Sequence, residues 1–361
     1  MRWTLLLLFA TSIAAEEKKL PKDLARYFTP PKKYQGDTMK YSSQLKFYDR
    51  KPVKTKADWQ KRRAEILSTW HGLMGPWPPL LEKPGIKRLD SKKMAGFTQY
   101  HVEIEIAPGR KTRDSYLLIP HGKRPMPAVV VVFYDAKTGI GQGKAGRDFA
   151  LQLAQRGFVT LSLGSAPATY YPSKENLQVQ ALSFHAYVAA NCHTLLARMP
   201  VVDKDRIGIV GHSYGGKWAM FAACLYEKFA ATAWSDPGIV FDEKRSNVNY
   251  WDPWYLGFDQ KKTRKRGLPT KKNPSIGSYK TMIEKGRHLH ELHALMAPRP
   301  FLVSGGSEDQ PERWQPLNRT IEVNQFLGYK NRVAMTNRKG HSPTKESNEV
   351  IYRFFEHFLK K

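Results

Sequence analysis

Ile207-Gly208-Ile209-Val210-Gly211-His212-Ser213-Tyr214-Gly215-Gly216 is the stretch on which the fold turns. Residues 207–210 are apolar and rich in β-branched side chains, which suits a strand, and residues 217–229 are helix-forming. Between them stands a G-x-S-x-G pattern, with Gly211, Gly215 and Gly216 small enough for a tight turn and close helix packing. The pentapeptide alone is common by chance. In a strand–turn–helix setting it raises a serine hydroxyl at the end of a sheet strand, with a helix N-terminus where negative charge would develop. Ser213 is therefore the candidate nucleophile.

Reading outward, residues 128–133 (AVVVVF) form a continuous β-branched run, the pattern of a strand buried on both faces. A helix over 148–155, a strand over 158–163 and a helix over 181–199 lead to the strand before Ser213. That β-α-β-α-β order calls for a mostly parallel, doubly wound sheet with helices on both faces. Upstream, residues 97–106 and 114–120 alternate and flank Pro108-Gly109-Arg110, as antiparallel strands at a sheet edge do. Downstream come a short strand over 230–234, a long insertion over 235–280 rich in Tyr, Trp, Asn and Lys, a helix over 284–296, a strand over 299–304, a helix over 317–327, a strand over 331–336 and a final helix over 345–359. An irregular insertion of that length is expected to act as a lid or binding wall.

The N-terminal part reads differently. Met1-Arg2-Trp3-Thr4, an apolar run from Leu5 and Ser12-Ile13-Ala14 have the layout of a secretory signal peptide over 1–14, too short to span a bilayer. Residues 15–90 are expected to form an arm and an amphipathic helix with Trp59, Arg63, Ile66 and Trp70 at helical spacing and Thr55 or Asp58 as its cap. The catalytic domain would then occupy 91–361. A secreted or periplasmic location follows from that leader. Cys192 and Cys224, the only two cysteines, sit in apolar helical contexts and suit either one disulfide or two buried thiols.

Of 361 residues, 41% are apolar, enough for one large core. Lys and Arg number 59 against 32 Asp and Glu, a net charge of +27, which favours anionic partners such as an acidic polysaccharide. Nucleic acid is not indicated, since no zinc-finger spacing or RNA-recognition signature accompanies the charge.

An activated serine needs a base and a third group to hold the base's tautomer, and in this setting they follow in the order acid, then histidine. His341 follows the last expected strand and is the candidate base; His357 lies inside the final helix. The strand ending at Ser304 runs into Gly305-Gly306-Ser307-Glu308-Asp309, which makes Asp309 the candidate acid, with Glu308 and Asp236 as rivals. The oxyanion donors are expected to be the backbone N–H of Tyr214 and one after residues 128–133, at Tyr134 or Asp135. No metal or organic cofactor is implied. Gly139, Gly141 and Gly143 miss the dinucleotide spacing, and His288, His290 and His293 miss the H-E-x-x-H spacing and read as helix packing.

At Ser213, Asp309 and His341 the chain resembles the α/β-hydrolase superfamily. More narrowly, Gly211-x-Ser213-x-x-Gly216-Lys217 and His293-Ala294-Leu295-Met296-Ala297-Pro298-Arg299-Pro300 look like the glucuronoyl esterases and related acetyl xylan esterase-like enzymes, which cleave esters on cell-wall carbohydrate. In glucuronoyl esterases the residue after the serine is typically Arg and a Lys four positions on contacts the uronate. Here Lys217 matches and Tyr214 departs. The resemblance implies an exported serine esterase acting on acyl or uronoyl esters of a polysaccharide, with Lys217 at the sugar. Trp251, Trp254, Tyr255 and Trp314 are candidates for stacking on pyranose rings. The alternatives are a prolyl oligopeptidase-like peptidase, which shares Gly-x-Ser-Tyr-Gly-Gly, and a polyanion-binding protein on a hydrolase scaffold. Against the peptidase, the roughly eighty residues before Phe97 are too few for a propeller domain.

Overall fold

The structure is a computed structural model that describes residues 18–123, 125–165 and 179–361. The expected leader over 1–14 lies outside the described residues. No helix among them is long and apolar enough to cross a membrane.

Ten strands form one sheet: β1 (Ile86–Met94), β2 (Phe97–Ala107), β3 (Arg110–Thr112), β4 (Ser115–Pro120), β5 (Met126–Phe133), β6 (Val159–Gly164), β7 (Val202–His212), β8 (Ala231–Ser235), β9 (Phe301–Gly305) and β10 (Val333–Asn337). Their order is β1-β2-β4-β6-β5-β7-β8-β9-β10, with β3 paired to β2 alone. From β6 to β10 every pairing is parallel, and β1, β2 and β4 close one edge antiparallel. The expected mostly parallel sheet is the one observed.

The principal helices are α1 (Lys56–Met74), α2 (Phe149–Gln155), α3 (Ala181–Ala197), α4 (Tyr214–Leu225), α5 (Gly277–Glu284), α6 (His290–Ala294), α7 (Trp314–Leu327) and α8 (Lys345–Leu359). β5 shows why both faces need covering: every residue of it is buried. Val130 and Val132 join a core layer with α3 and α4, while Val129, Val131 and Phe133 join another with α2 and α8. Period-two alternation divides one apolar strand between two helical layers.

β1 is the strand the sequence hid. Ile86-Lys87-Arg88-Leu89-Asp90-Ser91-Lys92-Lys93-Met94 is exposed along nearly its whole length, because it is the outermost strand and pairs only with β2. Charged side chains there keep a free sheet edge from pairing with other chains.

α1 is opened by a capping box: the Thr55 hydroxyl accepts the Asp58 N–H at 3.1 Å and the Asp58 carboxylate accepts the Thr55 N–H at 3.0 Å. Trp59, Ile66 and Trp70 face inward as expected, but the buried arginine is Arg62. It stacks on Tyr48 of the arm at 4.0 Å, and Arg287 covers the other face of the ring at 3.7 Å. The Tyr48 hydroxyl donates to buried Glu291, which also accepts the Trp70 indole N–H. The arm is thus tied to α1 and α6 by one cation–π sandwich anchored on a carboxylate.

Candidate active site

Tyr134, Ser213, Asp236, the 306–309 loop and His341 lie just beyond the carboxyl ends of the parallel strands β5, β7, β8, β9 and β10. Parallel strands converge their outgoing loops on one edge, so residues more than a hundred positions apart meet there.

Ser213 has φ 56° and ψ −113°, a conformation that L residues avoid. The turn is enforced by contacts that leave no room for side chains. A Cβ on Gly211 would stand 2.2 Å from the Gly215 carbonyl oxygen, and one on Gly215 would stand 2.0 Å from that of Val132. The two glycines are therefore steric requirements of the elbow.

The Ser213 hydroxyl donates to His341 Nε2 at 2.8 Å, and His341 Nδ1–H donates to a carboxylate at 2.7 Å. A carboxylate only accepts, so this pairing fixes the tautomer and leaves Nε2 as a base. The carboxylate belongs to Asp236. Here the structure corrects the expectation of Asp309.

The two acids form a reciprocal clamp. Asp236 Oδ1 accepts N–H groups from Gly306, Glu308 and Asp309 at 2.7, 3.2 and 2.9 Å, while Asp309 accepts those of Gly238 and Ile239 at 2.8 and 2.6 Å. Each carboxylate thus holds the loop that carries the other. Burial, then the neighbouring Asp236 charge, push the Asp309 carboxyl above the ordinary range. Asp309 sits on the expected loop but points away from the histidine. Glu308 accepts from Ser307 Oγ at 2.9 Å and Asn247 Nδ2 at 3.2 Å.

Arg338, which the sequence reading passed over, fixes the loop that bears His341. Its guanidinium donates to the carbonyls of Ser304, Gly305, His341 and Ser342 at 2.7, 3.2, 2.6 and 2.9 Å. His212 packs against His341 with ring centroids 4.7 Å apart and has its Nδ1 3.1 Å from the Ser235 carbonyl. Burial holds its pKa well below the usual value, so it is a neutral wall.

Tyr214 opens α4, and its phenol lies in the interior 2.6 Å from His185 Nε2, so the side chain is turned away from the serine. Its ring stacks on that of Tyr134 at 4.6 Å. Tyr134 and Asp135 both line the cavity in front of Ser213.

The expected sugar contacts fare differently. Lys217 is buried, and Nζ donates to the carbonyls of Pro237 and Asn247 at 2.5 and 3.0 Å with the rings of Tyr250 and Tyr255 beside it. Burial lowers its pKa to about 8. It ties α4 to the insertion, with its ammonium engaged by main-chain carbonyls. Trp251, Tyr255 and Trp314 are core residues too, the Trp251 indole donating to the Gly267 carbonyl at 2.9 Å. Trp254 is half-buried with Arg266 over its ring at 5.6 Å. The insertion is a packed wall anchored by Ile239, Val248, Tyr250 and Leu256, and buried Arg264 pairs with Asp252 at 3.3 Å within it. His288 and His290 pack on Tyr41 with centroids 5.2 and 5.1 Å away, and His293 packs on Trp234 at 5.4 Å.

The profile of the prolyl oligopeptidase family matches residues 188–361, which includes Ser213, Asp236 and His341. No curated protein matches the chain. Among solved structures, a glucuronoyl esterase from Solibacter usitatus superposes with a TM-score of 0.68 at 18% identity, covering 89% of this chain and 98% of that one. A CE15 glucuronoyl esterase from Teredinibacter turnerae gives 0.62 at 20% identity, covering 87% and 88%. A putative acetyl xylan esterase from Bacteroides fragilis gives 0.55 at 15% identity, covering 94% and 90%. At these identities the likeness is one of fold.

Proposed function

We propose that this chain, an α/β-hydrolase in fold, is an exported serine esterase that cleaves esters of a polysaccharide. The observation that carries the reading is the continuous relay Ser213–His341–Asp236, with bonds of 2.8 and 2.7 Å, at the mouth of a cavity. Ser213 Oγ attacks the ester carbonyl as His341 Nε2 takes its proton. The Asp236 carboxylate stabilises the imidazolium that forms. His341 then protonates the leaving alcohol, and water, deprotonated by the same nitrogen, releases the acid from the acyl-enzyme. Backbone N–H groups of Tyr214 and of Tyr134 or Asp135 are the proposed oxyanion donors. No step asks for a metal or organic cofactor. Export rests on the leader over 1–14, and the carbohydrate substrate on the esterases named above.

The match to the prolyl oligopeptidase family supports a second reading, a serine peptidase. Hydrolysis of a benzyl glucuronate ester, an acetylated xylo-oligosaccharide and a prolyl peptide, each with Ser213→Ala as control, separates the two. The expected result is ester cleavage that falls at least about 10³-fold in the variant. Faster Ser213-dependent cleavage of the peptide would establish the second reading. A folded protein that cleaves none and leaves a fluorophosphonate probe unbound would sink both.

A further inference from the structure

We propose that the cavity beside Ser213 takes an ester flanked by a fixed anionic substituent, a carboxylate or sulfate, and that Arg147 binds this group with help from Lys144. This rests on the esterase reading and narrows its substrate to an O-acylated acidic polysaccharide.

The cavity measures about 390 Å³, in the range of small-molecule sites, and Ser213, His341, Thr138, Lys144 and Arg147 line it together. Arg147 is half-buried, yet among the described residues it has no carboxylate partner. Among those residues its side chain makes one hydrogen bond, a long one of 3.5 Å to the Ser342 hydroxyl. Other arginines around the site are engaged: Arg313 pairs with Asp242 at 2.9 Å, and Arg338 is bonded to four carbonyls. Burial also draws the Arg147 pKa down, the mark of a cation partly stripped of water. A guanidinium fork in that condition suits a bidentate oxyanion.

The one acid of that wall among the described residues does not neutralise it. Asp135 accepts the N–H and hydroxyl of Thr138 at 2.8 and 3.0 Å and so caps the single-turn helix Ala136–Gly139. Nor does Lys217 compete for the ligand, since it is sealed beneath the insertion. The net charge of +27 draws an acidic polymer to the surface at large, and Arg147 then selects at the cavity.

Two matched pairs of esters test this. 4-Acetoxybenzoate against 4-acetoxybenzamide places the charge on the alcohol side; the 4-nitrophenyl monoester of glutaric acid against 4-nitrophenyl pentanoate places it on the acyl side. The wild-type protein is expected to favour the charged member of at least one pair in kcat/KM. Arg147→Gln should cut that ratio about tenfold or more, the worth of one charge-assisted hydrogen bond, and added salt should erode it. Cleavage of the neutral esters with no preference for the charged ones, or an equal preference in Arg147→Gln, overturns this inference alone. Silence of the folded wild-type protein on all four overturns the esterase reading and this inference with it.

Discussion

Two aspartates with unlike environments decide what the histidine can do. Asp236→Asn would present an amide to His341 Nδ1 and favour the tautomer that cannot accept the serine proton; kcat is expected to fall about 10³- to 10⁴-fold with the fold intact. Asp309→Asn should behave in the opposite way. It keeps one acceptor for the N–H groups of Gly238 and Ile239 and turns an NH₂ toward the other, so stability should drop by about 1–3 kcal/mol while kcat falls far less. Steady-state kinetics and thermal melts on the two variants check the contrast, and equal losses of kcat would contradict the assignment of Asp236. Ser213 and His341 were legible because strand, turn and helix patterns surround them. The acid was not, since carboxylates follow both β8 and β9, and only the direction of a side chain at φ 49° in Asp236 separates them. Lys217 and Trp251 misled for a related reason. A cation or an indole beside the nucleophile has the same letters whether it faces a ligand or a carbonyl.

At the scale of elements, the catalytic base is only as well placed as the loop that carries it. Arg338 ties that loop to the ends of β8 and β9, with Ser235 Oγ a further contact at 3.4 Å. Arg338→Ala is expected to lower kcat about ten- to a hundredfold with little change in KM, because displacement of the base by an ångström is enough to slow the proton transfer. Guanidinium ion added to the variant should restore part of the rate. A loss of kcat that guanidinium does not relieve, with a lower melting temperature, would reduce Arg338 to a stabilising residue. The parallel strands were readable from their β-branched runs, as was the antiparallel edge; the cap of α1 was readable only as Thr55 or Asp58, which the structure joins in one reciprocal box. β1 was not readable, since a solvent-facing edge strand carries no apolar alternation. The insertion was visible as a long irregular segment, but its packing depends on partners such as Arg264 and Asp252 whose meeting no local pattern encodes.

For the molecule as a whole, the buried lysine links the helix behind the nucleophile to the insertion and couples stability to pH. With its pKa lowered to about 8 in the fold against 10.5 outside it, Lys217 binds fewer protons folded than unfolded between those values. Stability from this group therefore rises as pH climbs from about 8 to 10.5 and is lost as pH falls back through 8. Neutral lysine still has two N–H donors for the carbonyls of Pro237 and Asn247. Melting curves of wild type and Lys217→Met across that interval should diverge in favour of wild type as pH increases; a constant gap would refute the coupling. Cys192 and Cys224 bear on the same scale. Both are free and buried, and burial pushes the Cys192 thiol up to about 12, far from its reactive form. With its only two cysteines free, no disulfide cross-links the chain. It should therefore mature with equal success in an oxidising or a reducing compartment, need no isomerase to sort its thiols, and melt at the same temperature with or without reductant.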